Sequence, residues 1–222
     1  MTEGWTIRKP TAVLVLADGT VIDGFGLGAT GAIEGEVCFN TALTGYQEIL
    51  TDPSYARQIV TFTFPHIGNV GANDEDQEDL VPANATGAVG AIFRADVSEP
   101  SNYRSSGHLN AWLKDRGVIA LSGVDTRALT ALIREKGAVN AVIAHEPDGQ
   151  FDIDALKARA AAWSGLVGLD LAKEAAGSEA VIWDEKPWVW NAGYASEAEP
   201  RYTIVAIDYG TKRNILRRMS GE

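Results

Sequence analysis

The residues best suited to chemistry lie in one short connection, residues 44–55, which reads TGYQEILTDPSY. Its mixed polar and apolar pattern predicts neither a regular helix nor a regular strand. Pro53 fixes its own φ and disfavours helical backbone at Asp52, whose carboxylate can then accept a bond from a nearby backbone N–H. Such a turn would hold Ser54 in one direction, and its hydroxyl, as both donor and acceptor, can meet either end of a zwitterionic ligand. From the residues alone, the simpler alternative stays open that these three residues only form a turn.

Other residue types with catalytic chemistry lack suitable partners in the sequence. Cys38 lies in a predicted strand, away from the helix N-terminus or cation that would stabilise a thiolate, so an inert, half-buried thiol is expected. His66, His108 and His145 are too far apart for metal-ligand spacing. The run GLGATG at residues 26–31 fits G-x-G-x-x-G, but a strand follows it where a nucleotide site needs a helix. A glycine-rich turn is therefore predicted there.

Composition limits the class of protein. The 222 residues carry a formal net charge of −11 and include one cysteine. An acidic surface repels phosphate, so we expect binding neither to nucleic acid nor to anionic membranes. One cysteine excludes a disulfide within the chain, and no apolar run approaches the roughly 20 residues that span a bilayer. These features predict a globular protein of the reducing cytoplasm.

Apolar residues alternate in some segments, as in strands, and follow the helical period in others, and together these patterns predict a mixed α/β structure. A hairpin is predicted from Thr11, where two β-rich runs flank the turn signal Asp18-Gly19. Further strands are predicted at residues 34–43, 58–65, 87–94, 118–123 and 138–146. Helices are predicted at 108–116, capped by Ser105 or Ser106, at 126–136, capped by Asp125, and from Asp152 or Asp154 to Trp163. Strands followed by alternating strands and helices indicate stacked layers of sheet and helix.

The remaining segments suggest how the chain divides. Residues 73–80, NDEDQEDL, are predicted to be a solvated acidic loop or short exposed helix. Residues 191–200 have the composition of a linker. After them, YTIVAIDYG at 202–210 has the pattern of a buried parallel strand, and a helix is predicted at 211–219. We therefore expect domains at 1–190 and 201–222, joined by the linker.

Four blocks of the sequence, in order, resemble the small subunit of glutamine-dependent carbamoyl-phosphate synthetases. They read EVCFNTALTGYQEILTDPSYARQIVTFTFPHIGNVGAND, VDTRALTALIREKGAVNAVI, GLVGLDLAKE and IVAIDYGTKRNILR. The last resembles the opening of the family's class I glutamine amidotransferase domain. The resemblance implies a three-layer β/β/α fold of the swivelling type for the first domain. It also implies that residues 201–222 are the first βα unit of a truncated amidotransferase domain.

The resemblance implies a function shared between two subunits. Small subunits of this family hydrolyse glutamine and pass the ammonia to a large synthetase subunit. That subunit uses ATP and Mg²⁺ to form carbamoyl phosphate for pyrimidine and arginine synthesis. A heterodimer with the large subunit, glutamine as substrate, and no cofactor or metal in this chain are the corresponding expectations.

For individual residues, the resemblance implies one glutamine contact, Ser54 of the T-D-P-S-Y motif. The family's catalytic cysteine, histidine and glutamate would follow Glu222, so no catalytic residue is expected here and the chain alone would be inactive. Cys38 does not match the family's nucleophile. An alternative of another class stays open: a non-catalytic binding module that docks onto a large ATP-using partner.

Overall fold

The computed structural model describes residues 8–80, 87–177, 179–196, 199 and 201–221. Its main feature is a sheet of strands β1 (Ala12–Leu16), β2 (Val21–Gly28), β3 (Gly31–Asn40), β4 (Gln58–Phe62), β5 (Gly90–Ile92), β6 (Ile119–Ser122) and β7 (Val139–His145). These strands close into a barrel in the order β1-β2-β6-β5-β4-β3-β7. Adjacent strands are antiparallel, except for the parallel pairs β3-β4, β4-β5 and β5-β6.

Helices surround the barrel, so the predicted mixed α/β class is confirmed. They are α1 (Tyr46–Thr51), α2 (Leu109–Asp115), α3 (Thr126–Lys136), α4 (Ile153–Ala162), α5 (Leu171–Ala175) and α6 (Arg213–Ser220). The predicted cap of α3 is confirmed, because the Asp125 carboxylate accepts bonds from two N–H groups of its first turn. Asp152 caps α4 in the same way. The predicted serine cap of α2 is wrong, since the His108 ring accepts the capping bond.

Glycines permit two tight connections, one before and one after β2. The β1–β2 hairpin is confirmed, but Val15 pairs with Val21, so the connection is longer than the predicted two-residue turn. Gly19 has a φ of 87° in this connection, a value that favours glycine. The predicted turn at GLGATG is also confirmed, because it joins β2 to β3 between Gly28 and Gly31, whose φ values are 69° and 112°.

The core has an inner part and two outer parts. Alternation along β4 explains the division, since Ile59 lies in the barrel interior while Val60 and Phe62 point outward. Two residues of α3, Leu129 and Ile133, also join the interior core. The first outer core lies between the barrel and helices α1 and α2, and the second lies between β1, β7 and α4. The sheet closes around its own core, so the expected three-layer stack of the swivelling type is not confirmed.

A second, small sheet consists of β8 (Glu185–Val189) and β9 (Gly193–Ser196), which pair antiparallel. Helix α6 packs on β8. Its Arg217 places the guanidinium 3.6 Å from the centre of the Tyr194 ring and donates from Nε to Glu185 at 3.1 Å. Strand β9 therefore occupies part of the predicted linker, whose residues 197, 198 and 200 lie outside the described residues. The division into two domains stays a prediction.

Two predicted elements differ from the structure. Residues 44–55, expected to be irregular, contain the short helix α1 and a 3₁₀ turn at Pro53–Tyr55. The strand predicted at 202–210 is wrong, because residues 202–207 form neither helix nor strand. A parallel strand needs bonded neighbours on its edges, and no described strand pairs with this run. The helix predicted after it is confirmed as α6.

Candidate functional site

The predicted turn at Asp52 has the geometry that the sequence indicates. The Asp52 carboxylate accepts the backbone N–H of Ser54 at 2.9 Å, and Pro53 occupies the first position of the 3₁₀ turn. Asp52 and Pro53 are buried, whereas Ser54 is exposed. The Tyr55 hydroxyl accepts a bond from the Asn40 amide at 2.9 Å, which attaches the turn to the end of β3. The backbone of the turn is therefore held in place, and it presents the Ser54 side chain to solvent.

Helix α1 attaches the Asp52 turn to the barrel. Tyr46 and Leu50 are buried in the outer core, and the Tyr46 hydroxyl donates to the Gly71 carbonyl at 2.6 Å. At the end of the helix, Thr51 donates from its hydroxyl to the Gln47 carbonyl at 2.8 Å. These contacts orient the last residue of α1 directly before Asp52.

The segment that leads into α6 lies against the same turn. Lys212 Nζ is 3.0 Å from Asp52 Oδ2. The hydrogen bond with Asp52 raises the pKa of Lys212, which keeps the ammonium charged. Gly210 has a φ of 99°, and a Cβ there would lie 3.7 Å from Pro53 Cβ. Residues 210–212 and 52–53 are therefore in direct contact, although they are far apart in the chain.

Asp208 organises the backbone of this segment. Its Oδ1 accepts the N–H groups of Gly210 and Thr211 at 2.8 and 2.7 Å, and its Oδ2 accepts the N–H of Gly177 at 2.9 Å. Partial burial opposes the charge of Asp208, but these backbone donors outweigh it and lower the pKa below its ordinary value. An ionised Asp208 thus holds the loop that carries Lys212.

The acidic segment 73–79 forms the second contact with α6. It is a loop, as predicted, and Asp74 and Glu75 are exposed, but the prediction that the whole segment is solvated is wrong. Asn73, Asp76, Gln77, Glu78 and Asp79 are all at most 8% exposed. Cationic side chains that lie close in space compensate the buried negative charges. Asp76 pairs with Arg104 at 2.6 Å, and Asp79 pairs with Arg116. Asp76 and Asp79 can be buried here because cations from distant parts of the chain meet them.

This acidic segment is also fixed to α1. The Gln47 side-chain amide bonds both the N–H and the C=O of Asn73, with the N–H bond at 3.0 Å. The Thr51 hydroxyl accepts the backbone N–H of Glu78 at 2.9 Å. Burial raises the pKa of Glu78 above its ordinary value.

A polar cavity of about 230 Å³ opens beside the start of α1. Its lining includes Tyr46, Glu48, Asp76 and Arg104. Burial raises the pKa of Glu48 to about 7, and the negative charges of Asp76 and Glu78 act in the same direction. The cavity therefore contains a carboxyl group that titrates near neutral pH.

Cys38, His108 and His145, which lack catalytic partners in the sequence, have structural surroundings in the fold. Burial, with the charge of Glu36, raises the pKa of Cys38 to about 12, so the thiolate is strongly disfavoured. His145 bonds the Ala29 carbonyl at 2.9 Å, and His108 caps α2. Across the described ranges, no group of three or more His, Cys, Asp or Glu side chains is arranged to hold a metal ion. None of the described helices is long and apolar enough to cross a membrane.

Residues 14–143 match the family model for the carbamoyl-phosphate synthase small chain, CPSase domain. The match extends over more than half of the chain and includes most of the barrel, α1 and the Asp52 turn. The chain therefore belongs to the carbamoyl-phosphate synthase small-chain family.

Curated relatives agree with the family match. The chain is 71% identical over 221 residues to the carbamoyl phosphate synthase small chain of Mesorhizobium japonicum, with 100% of this chain and 56% of the relative covered. It is 69% identical to that of Rhizobium meliloti, with 99% and 55% covered. The chain thus spans about half the length of the curated relatives it matches.

A solved aminopeptidase from an Aneurinibacillus strain shares 16% identity over 63% of this chain and 31% of its own, with a TM-score of 0.38, which identifies neither fold nor function.

Proposed function

We propose that this chain is the front portion of a glutamine-hydrolysing subunit that supplies ammonia to a large synthetase subunit for carbamoyl phosphate formation. The observation that carries the proposal is membership of the small-chain family over residues 14–143. The high identity to relatives that bear the same name supports it. The product would serve pyrimidine and arginine synthesis in the cytoplasm.

Ser54 is the proposed glutamine contact in this portion. Its exposure and its fixed backbone support the role, because a ligand can reach the hydroxyl without unfolding the turn. The neighbouring Lys212 brings a cation to the same turn. That cation is paired with the Asp52 carboxylate, so the support for a ligand that carries a carboxylate comes from the Ser54 hydroxyl, which can donate a hydrogen bond to it.

The chemistry of hydrolysis would use residues that follow Glu222 in the longer protein. Amide hydrolysis by cysteine needs an activated thiolate and a nearby base. The raised pKa of Cys38 makes it unsuitable as that nucleophile. ATP and Mg²⁺ would bind to the large subunit, with which this protein would form a heterodimer.

The test is Ser54→Ala in the full-length protein assembled with its large subunit. We expect kcat/KM for glutamine to fall about 10- to 150-fold, since a hydrogen bond to a charged ligand contributes about 1.5–3 kcal/mol. Synthesis from ammonium chloride should be unchanged, because ammonia bypasses the glutamine site. Ser101→Ala, which changes another exposed serine, is the control. Unchanged kinetics with glutamine in the Ser54 variant would remove Ser54 from the site.

A second candidate function is a binding module without chemistry of its own that docks onto a large ATP-using partner. The exposed apolar side chains Tyr202, Ile204, Val205, Ile207 and Tyr209 favour it, because exposed apolar patches mark interaction surfaces. The codons that follow Glu222 distinguish the two. A glycine-flanked cysteine and a later histidine support the subunit, whereas a stop codon supports the module.

A further inference from the structure

Glu78 bonds to both sides of the contact between α1 and α6. Its backbone N–H donates to the Thr51 hydroxyl at 2.9 Å. Its carbonyl accepts the N–H of Arg213 at 3.0 Å, and its carboxylate accepts the N–H of Asn214 at 2.8 Å. One residue therefore connects the end of α1 to the beginning of α6.

These bonds run beside the Asp52–Lys212 ion pair. Thr51 directly precedes Asp52, and Lys212 directly precedes Arg213, so the two connections join adjacent positions of the same two segments. Arg213 adds a third bond, from its Nε to the Asp79 carbonyl at 2.9 Å. A shift of α6 relative to α1 would break the ion pair and the Glu78 bonds together.

Helix α6 depends on this outside acceptor. Its own N-cap residue, Lys212, makes no capping bond with its side chain. The first N–H groups of a helix lack partners within the helix, and a carboxylate at that end is favourable for both hydrogen bonding and the helix dipole. Glu78, which is 8% exposed, supplies that carboxylate from 136 residues away in the sequence.

We propose that Glu78 is a positioning residue for the glutamine site. It fixes the first turn of α6 against the end of α1, so that Lys212 meets Asp52 and the turn that presents Ser54 keeps one orientation. This role rests on the proposed function of Ser54. Glu78 acts through the segments that it joins.

The hydrogen bond to Asn214 matters more than the charge of Glu78. Burial raises the pKa of Glu78, against the opposing effects of the Asn214 N–H and the cations Arg217 and Lys212. The negative charge of Asp52 acts with burial. A glutamine at this position keeps an acceptor for Asn214 and removes a disfavoured charge, so Glu78→Gln should preserve the connection.

The experiment compares Glu78→Ala, Glu78→Gln and Glu75→Ala in the full-length protein assembled with its large subunit. Glu75 lies in the same acidic segment and pairs with Arg104 instead of bonding the first turn of α6, so it is a control for loss of an acid. In Glu78→Ala we expect the KM for glutamine to rise about 5- to 10-fold, the effect of losing one buried hydrogen bond, with kcat for ammonium chloride unchanged. Glu78→Gln and Glu75→Ala should have the wild-type KM.

Hydrogen exchange supplies a readout that does not depend on activity. In Glu78→Ala, peptides that cover residues 212–216 should exchange about 10-fold faster, since opening of the first turn of α6 becomes easier by about 1.4 kcal/mol. Glu78→Gln should restore slow exchange. If the alanine variant does not fold, Glu78→Asp, whose shorter side chain withdraws the acceptor, replaces it.

Two results would overturn the role of Glu78 alone: a wild-type glutamine KM and wild-type exchange in the alanine variant, or an equal rise in KM in Glu75→Ala. A wild-type assembly that uses ammonium chloride but not glutamine would overturn the proposed function, and the role of Glu78 with it. The two failures are therefore distinguishable.

Discussion

Strand β1 and residues 203–207 have similar apolar sequences, AVLVL and TIVAI, but opposite surroundings. Every residue of β1 is at most 1% exposed, because β2 and β7 bond its two edges and cores pack on both of its faces. In the second run, Ile204, Val205 and Ile207 are 63%, 87% and 73% exposed. The difference shows that a continuous apolar pattern becomes a buried strand only where neighbouring strands meet it.

The strongest test of this comparison is the same substitution in both regions. Ile143→Ala, in the barrel interior, should lower the free energy of unfolding by about 2–5 kcal/mol, because it removes buried methyl groups and leaves a cavity. Ile207→Ala should change it by less than about 0.5 kcal/mol, as is usual for exposed positions. Urea denaturation of the 222-residue chain measures both values. An equal loss of stability in the two variants would show that residues 203–207 are buried in solution.

The pKa of an acidic residue also depends on its surroundings. Substitution of Glu48 should give the next largest change in the free energy of unfolding. Its folded pKa of about 7 lies above the unfolded value of about 4.3, so the fold favours the protonated form. That contribution is complete below about pH 4 and is lost as the pH rises through about 7. This pKa shift corresponds to about 3.6 kcal/mol at pH 8, and solvent screening reduces it because Glu48 is only partly buried. Glu48→Gln should therefore be more stable than the wild type by about 2–3 kcal/mol at pH 8, and the difference should disappear near pH 4.

Urea denaturation at pH 4, 6 and 8 measures this difference. Glu135→Gln, which changes an exposed acid of α3, is the control, and its difference from the wild type should not depend on pH in this way. A Glu48→Gln difference that is constant from pH 4 to 8 would show that Glu48 is hydrated in the folded protein.

Local signals made most of the fold predictable from the sequence. The turn signal Asp18-Gly19 predicts the hairpin because the paired residues are close in the chain. Alternation predicts β4 because successive side chains of a strand face opposite sides. Asp125 predicts the start of α3 because the N–H groups that it caps follow it directly. Closure of the barrel was not predictable, since it depends on the pairing of β1 with β7, which joins residues such as Ala12 and His145.

In the candidate site too, contacts between adjacent residues were predictable and contacts between distant residues were not. The Asp52 turn follows from two adjacent residue types, and it was predicted from them. Its partners were not, because Lys212 is 160 residues away from Asp52. The burial of Asp76 and Asp79 depends on Arg104 and Arg116, which nothing near the acidic run indicates.

The smallest expected effect tests how firmly the second region is joined to the first. Lys212→Met removes a partly exposed ion pair, so the free energy of unfolding should fall by no more than about 1 kcal/mol, and by less in high salt. Lys136→Met, which removes the pair with Asp18 on the barrel, is the matched control and should have a similar small effect. The two variants should differ in hydrogen exchange, because only Lys212→Met releases residues 208–212 from the Asp52 turn. If both leave exchange in that segment unchanged, the Glu78 bonds alone hold it in place, and the ion pair contributes only its charge to the surroundings of Ser54.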